Sequence, residues 1–219
     1  MTIIAFFFVM RPGEYTDKSH KDAHPFRFMD VALAIGNKVL DLQNKSAVHL
    51  LASRSVTLEF STQNNGVPGE KIRLFWSNHP RLCPVLAVVR RILHLRKHNA
   101  PPTSPLARVF SLDSRGRHRQ HSIKTSDVTK ALRAAVDYIG PSLGFGASEV
   151  SARSLRAGGA MALIVSKIDP DIIRLLGRWR SDCMLRYLHM QAGVLTTDLS
   201  SRMVRADYTL SHYNKVPMY

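Results

Sequence analysis

Two stretches near the middle of the chain alternate apolar and polar side chains with a period of two, the signature of strands that bury one face. Val31, Leu33 and Ile35 alternate up to Gly36-Asn37, and Val39-Leu40-Asp41-Leu42 follows, so the spacing predicts a tight hairpin. A second hairpin pairs Val56, Leu58 and Phe60 with Ile72, Leu74 and Trp76 around a loop that contains Asn65-Gly66 and Pro68-Gly69. The remaining patterns are helical. Ile3 to Met10 is an apolar run predicting a buried helix that ends at Pro12-Gly13, and Leu82 to Lys97 carries Val85, Val88, Val89 and Ile92 on one stripe. Asn99 to Pro105 is a proline-rich connector. Ser126 is placed to cap a helix with Val128, Leu132, Ala135 and Ile139 inward, ended by Gly140-Pro141. Helix, hairpins, then helices make an α+β domain, mostly helical with a small antiparallel sheet of hairpins.

Three further helices are predicted in the last third. Ser151 is positioned as an N-cap for a helix holding Arg153, Leu155 and Arg156 and running to Val165, with both arginines on one face. Gly158 and Gly159 inside it each cost about 1 kcal/mol against alanine, which points to a close approach by another backbone or a ligand. Asp169-Pro170 reads as a cap followed by proline at the first helical position, opening a short, mostly buried helix with Ile172, Ile173, Leu175 and Leu176, stopped by Gly177. Ser181 or Asp182 then caps a helix with Met184, Leu185 and Leu188, which holds Tyr187 about one turn in.

The wording of this segment resembles the catalytic domain of the tyrosine recombinase (phage integrase) family, whose pattern is His-x-x-Arg, then Leu-Gly-His or a tryptophan, then a tyrosine about nine residues on. The matching positions are Arg153-Ser-Leu-Arg156, Leu176-Gly177-Arg178-Trp179 and Tyr187, and Gly-Arg-Trp-Arg-Ser-Asp with Arg-Tyr-Leu-His is most similar to recombinases of eukaryotic mobile elements. AFFFVMRPGEYTD resembles the family's segment with the first catalytic arginine and an acidic residue three positions later, here Arg11 and Glu14. The resemblance covers Ala5 to about Ala206. It implies a single catalytic domain over residues 1–219 with a tail from about 207, and a preceding DNA-clamping helical domain that is absent.

The activity the resemblance implies is site-specific DNA cleavage and rejoining. Arg11 and Arg156 would grip the scissile phosphate, since a planar guanidinium matches phosphate oxygens bidentately and stays charged at working pH. Tyr187 would attack phosphorus to form a 3′-phosphotyrosyl link, conserving the bond for religation without ATP, metal or other cofactor. Tyr15, Tyr138 and the tail tyrosines Tyr208, Tyr213 and Tyr219 match no such motif. Arg178 has the nine-residue spacing to Tyr187 and Trp179 the eight-residue one, so either fills the third position. The family's general-acid lysine falls in Thr62-Gln63-Asn64-Asn65-Gly66, with Asn64 its nearest occupant and Lys71 able to substitute only if the loop folds back. An amide cannot donate that proton as an ammonium does, and such general-acid help is worth about 10² to 10⁴ in rate. Arg153 stands where the family has histidine and can donate hydrogen bonds but not act as a base.

Charge narrows the partners. The 219 residues carry 31 Lys+Arg against 16 Asp+Glu, a net +15, which favours a polyanion through counterion release. Double-stranded DNA is the expected partner. The basic residues are spread along the chain rather than gathered on one amphipathic helix, and the N-terminal apolar run is far short of the ~20 residues of a membrane span. Arg115, Arg117, Arg119 and Lys124, with His118 and His121 among them, read as a glycine-containing basic loop that meets phosphate. Cys83 and Cys183 have neither disulfide nor zinc-ligand spacing, which implies a reducing compartment, the nucleus in a eukaryote and the cytoplasm otherwise. No Gly-x4-Gly-Lys-Ser/Thr loop is present, and no small-molecule substrate is expected. Two other readings stay open, a silent DNA-binding remnant, which Asn64 favours, and a topoisomerase IB-like nicking and closing enzyme. Self-association on DNA is an expectation of the resemblance.

Overall fold

The structure, a computed structural model, describes residues 1–17, 24–60, 69–140, 142 and 144–180. The expectations for the hairpin loop around Asn64, for Cys183, for the capped helix bearing Tyr187 and for the tail lie outside the described residues.

The alternating segments form the expected hairpins. Strands β1 (Val31–Ile35) and β2 (Lys38–Val39) pair antiparallel across Gly36-Asn37, with Ile35 opposite Lys38, and Gly36 takes φ +57°, a conformation glycine adopts without steric cost. Strands β3 (Ser55–Phe60) and β4 (Glu70–Phe75) pair with Val56 opposite Leu74 and Leu58 opposite Ile72. β1 also pairs with β3, Val31 opposite Leu58 and Leu33 opposite Val56, giving a four-stranded antiparallel sheet in the order β2-β1-β3-β4. That register puts Val31, Leu33, Val56, Leu58 and Ile72 on one buried face.

Helix α4 (Pro84–Lys97) covers the sheet with the predicted stripe, and Val85, Val88, Val89 and Ile92 are fully buried. Short helix α3 (Ala47–Leu51) precedes β3 and was not expected; the Ser46 side chain caps it by accepting from the His49 backbone N–H. α1 (Thr2–Phe7) packs against α4 and buries Ile4 and Ala5 in the same core.

The apolar run at the start does not form one helix ending at Pro12-Gly13. α1 stops at Phe7, the chain turns through Val9, and Pro12 instead opens a second helix, α2 (Pro12–Tyr15), with Arg11 as its N-cap residue. Proline suits a first helical position because its missing N–H has no partner there in any case. Val9 takes φ +48°, an outlier for a β-branched residue.

A second departure is the basic loop, of which the outer parts are strands. β5 (Arg108–Leu112) and β6 (His118–Ser122) form a separate two-stranded hairpin, with Phe110 opposite Gln120. Only 113–117 turns, and Gly116 there has φ +72°. α5 (Thr125–Ile139) begins at a Lys124 N-cap rather than at Ser126; Val128 is buried as expected, whereas Ala135 and Ile139 are exposed.

Helix α6 (Ser154–Val165) starts two residues later than a Ser151 cap implies, with Arg153 as N-cap residue. α7 (Pro170–Gly177) has the expected Asp169 cap, whose side chain accepts from the Asp171 N–H at 2.7 Å. Asp169→Ala should lower stability by about 1 kcal/mol, readable as a shifted denaturation midpoint with unchanged slope. α7 is not mostly buried, since Ile172 and Leu175 are exposed while Ile173 is fully covered. Nor does Gly177 stop it; the left-handed residue is Arg178 at φ 55°.

Candidate functional site

The α1–α2 turn is where the two distant motif segments meet. Gly159 on α6 lies so close to α1 that a Cβ there would sit 2.2 Å from the carbonyl oxygen of Phe6. This contact is the close backbone approach anticipated from the glycine pair, and it sets α6 directly beside the turn. Tyr15 supplies a second tie. Its hydroxyl donates to the Ala152 carbonyl at 2.9 Å, joining α2 to the entrance of α6. Burial pushes the Tyr15 phenol well above its ordinary value of 10, so it is a structural donor and a poor nucleophile.

Arg156 is buried and donates from Nη1 to the Val9 carbonyl at 2.7 Å and from Nη2 to the Gly177 carbonyl at 2.5 Å. Its guanidinium also lies over the Trp179 indole, 4.2 Å from the ring centroid. The indole can reach that position because residue 177 has no side chain: a Cβ there would fall 1.7 Å from the ring. Arg156 therefore ties α1, α6 and the end of α7 together. Its bond to Val9 also holds the one β-branched residue with positive φ among the described residues.

Arg178 is buried as well. Nη2 meets Glu14 Oε2 at 2.8 Å, Nη1 donates to the carbonyls of Leu176 at 2.9 Å and Phe8 at 3.3 Å, and the guanidinium sits 3.7 Å from the centroid of the Phe60 ring. Nε is buried without an acceptor. Desolvation draws its pKa below the ordinary arginine range, while the Glu14 carboxylate pulls the other way and Arg11 adds to the depression. A non-glycine residue in the left-handed region costs about 1–2 kcal/mol. The contacts of this side chain offset that cost.

Glu14 joins the remaining arginine to the group. It accepts from the Arg11 backbone N–H at 2.7 Å and from Arg11 Nη1 at 3.4 Å while also holding Arg178. The Arg11 side chain keeps 32% of its surface exposed. Three of the arginines singled out in the sequence thus gather at one bend, with one carboxylate between two of them.

The other candidates are more dispersed. Arg153 is exposed at the start of α6, so it does not share the buried face of Arg156. Lys71 lies on β4 and pairs across the strands with Glu59 at 3.2 Å. Arg117 and Arg119 both meet Asp113, at 3.0 and 3.2 Å, and the Arg115 N–H donates to the same carboxylate, so the turn's cations are organised by one acid. Lys124 is exposed at the start of α5. Tyr187 and Asn64 lie outside the described residues.

Sequence reasoning missed Glu14 as the partner of Arg178, and Phe60 beneath it. The Arg-x-x-Glu spacing was a local signal for the first; nothing in the sequence marks the second. Among the described residues no cluster of three or more His, Cys, Asp or Glu is placed to hold a metal ion, and no helix is long and apolar enough to cross a membrane.

No protein-family model matches the chain, and no curated protein matches it. Among solved structures, the fold is similar to that of the integrase of the Tn1549 transposon, a structure in complex with transposon right-end DNA, at a TM-score of 0.47 and 12% identity. The match covers 93% of this chain, which spans 57% of the length of that one.

Proposed function

We propose that the chain is a DNA-cleaving and rejoining domain of the tyrosine recombinase type, with Tyr187 as nucleophile. The observation that carries this reading is the meeting of two motif segments more than 140 residues apart: Arg11-x-x-Glu14 reaches Arg178 directly, and Arg156 reaches the same turn. In this reading Arg11, with its side chain 32% exposed, is the chief phosphate ligand, and Arg153 is a second donor at the surface. Arg156, stacked on Trp179 and bonded to the Val9 and Gly177 carbonyls, adds a fixed positive charge behind them. Positive charge held in place before reaction stabilises the extra negative charge at phosphorus without reorganisation. The net charge of +15 supports a duplex DNA partner, and the domain would work in the compartment that holds the host's DNA.

A second reading has its own support. Both terminal nitrogens of Arg156 are bonded to carbonyls, and the charge of Arg178 is met by Glu14, so these two arginines serve the fold whether or not DNA is cleaved. A DNA-binding remnant would keep them for that reason alone. The readings separate in a suicide-substrate assay on nicked DNA bearing candidate element ends. The recombinase reading expects a covalent protein–DNA adduct that Tyr187→Phe abolishes and Asn64→Lys increases. Salt-sensitive DNA binding with no adduct, in the wild type and in Asn64→Lys alike, would establish the remnant.

A further inference from the structure

Away from the arginine bend, the end of α4 and the β5–β6 hairpin form a groove with a different chemistry. The rings of His98 and Phe110 stack there, with centroids 4.7 Å apart and planes within 14°. The stack rests on a tethered base. His94 accepts a hydrogen bond from the Phe110 backbone N–H at Nε2, 3.2 Å away, and Arg91 donates to the carbonyls of Leu106 at 2.8 Å and of Arg108. These bonds fix β5 to α4, so the aromatic wall is held in place before any ligand arrives.

Two cavities of about 460 and 410 Å³ adjoin this wall and share His98, Asn99, Phe110 and Gln120. Lys97 and Arg119 line the first and Arg108 lines the second, and no carboxylate lines either. Both volumes fall in the range of small-ligand sites, roughly 300–1,000 Å³. Flat rings, two carboxamides, of which Gln120 already accepts from Arg108 Nη1 at 3.2 Å, and three cations, of which Arg119 also meets Asp113, suit a ligand with a π-face, a hydrogen-bonding edge and negative charge. A nucleotide has all three.

We propose that this groove binds an unpaired nucleotide of a nucleic-acid strand, its base against the His98–Phe110 wall and its phosphates toward Lys97, Arg119 and Arg108. A paired base keeps its faces inside the duplex stack and shows only its edges in the grooves, so duplex DNA offers the ring wall nothing to stack on. Strand binding by stacking on aromatic rings beside a positive track is sequence-tolerant, because every base has a π-face. The groove's lining includes none of the arginines at the α1–α2 turn. The proposal therefore stands whether or not Tyr187 cleaves DNA.

The test compares three fluorescent probes at one salt concentration, by anisotropy with the full chain: oligothymidylate, an abasic oligomer of equal length, and a blunt duplex. Oligothymidylate should bind about tenfold or more tighter than the abasic oligomer. Phe110→Leu, which keeps an apolar side chain of similar bulk, should remove that advantage and leave abasic binding unchanged; if it lowers the melting temperature, His98→Gln takes its place. Equal affinity for thymidylate and abasic oligomers would overturn the proposal. So would an advantage that survives in a folded Phe110→Leu protein, or an equal loss of duplex binding. The readout is equilibrium strand binding rather than formation of a covalent adduct, which separates failure here from failure of the cleavage reading.

Discussion

Glu14→Gln should lower the stability of the chain by about 3 kcal/mol, because it leaves the buried Arg178 guanidinium without the carboxylate in contact with it, Glu70 acting only from farther off. Glutamine keeps the shape and can still accept hydrogen bonds from Arg178 and from the Arg11 backbone, so the loss reports charge rather than volume. The setting decides the size. The Arg178 side chain is 1% exposed and that of Glu14 12%, whereas an exposed pair such as Lys71–Glu59 is worth no more than about 1 kcal/mol. Arg178→Met removes the buried cation together with its donors to Phe8 and Leu176, and should also destabilise. The double variant should lose less than the sum of the two by about 2 kcal/mol, the coupling carried by the pair. Urea denaturation of all four proteins measures it. A coupling within error of zero would show that Glu14 serves Arg11 alone.

The second large effect is expected at Gly159. A methyl group there meets the Phe6 carbonyl oxygen at 2.2 Å, and that oxygen belongs to backbone, which cannot swing aside as a side chain end can. Gly159→Ala should therefore separate α6 from α1 at a net cost of about 2–3 kcal/mol, despite alanine's advantage of about 1 kcal/mol in a helix. Its neighbour is the control. A Cβ at Gly158 lies 3.6 Å from the nearest Phe6 ring atom, an ordinary contact, so Gly158→Ala should be neutral or stabilising by up to about 1 kcal/mol. For a chain of this size the two variants should melt roughly 10 °C apart. Because the Arg156–Val9 bond crosses the same contact, the proposed function expects DNA affinity to fall in Gly159→Ala and hold in Gly158→Ala. Equal melting temperatures would mean that α1 and α6 can part without cost.

Elements whose order comes from local spacing were legible in the sequence. The two hairpins of the main sheet, the buried stripe of α4 and the Asp169-Pro170 opening of α7 each depend on residues within a few positions of one another. β6 was not legible because His118-Arg-Gln-His-Ser122 has no apolar residue to alternate; its pairing rests on β5 and on Asp113 organising the turn. The break after α1 was hidden for another reason. A continuous apolar run shows that a segment is buried but not where its helix ends, and Pro12 serves equally as a stop and as a start.

At the candidate site, the sequence identified the arginines but not their partners. The motif resemblance made Arg156 a phosphate fork and left Arg178 or Trp179 for the third position. That each arginine is buried against carbonyls contributed by residues 147 and 170 positions away belongs to the tertiary fold alone. Arg11 is the reverse case, since its partner Glu14 lies three residues on and was visible from the start.

The turn at Val9 also constrains the order in which the protein can assemble. Its carbonyl is held by Arg156, its neighbour's by Arg178, and the surface of α1 is closed by Gly159, all from the far end of the described chain. At typical ribosomal speeds those partners follow the first ten residues by on the order of ten seconds. Throughout that interval Ile3 to Met10, a run rich in phenylalanine, stays uncovered on at least one side. Such delayed closure predicts slow folding and a need for chaperone protection of this apolar segment during synthesis.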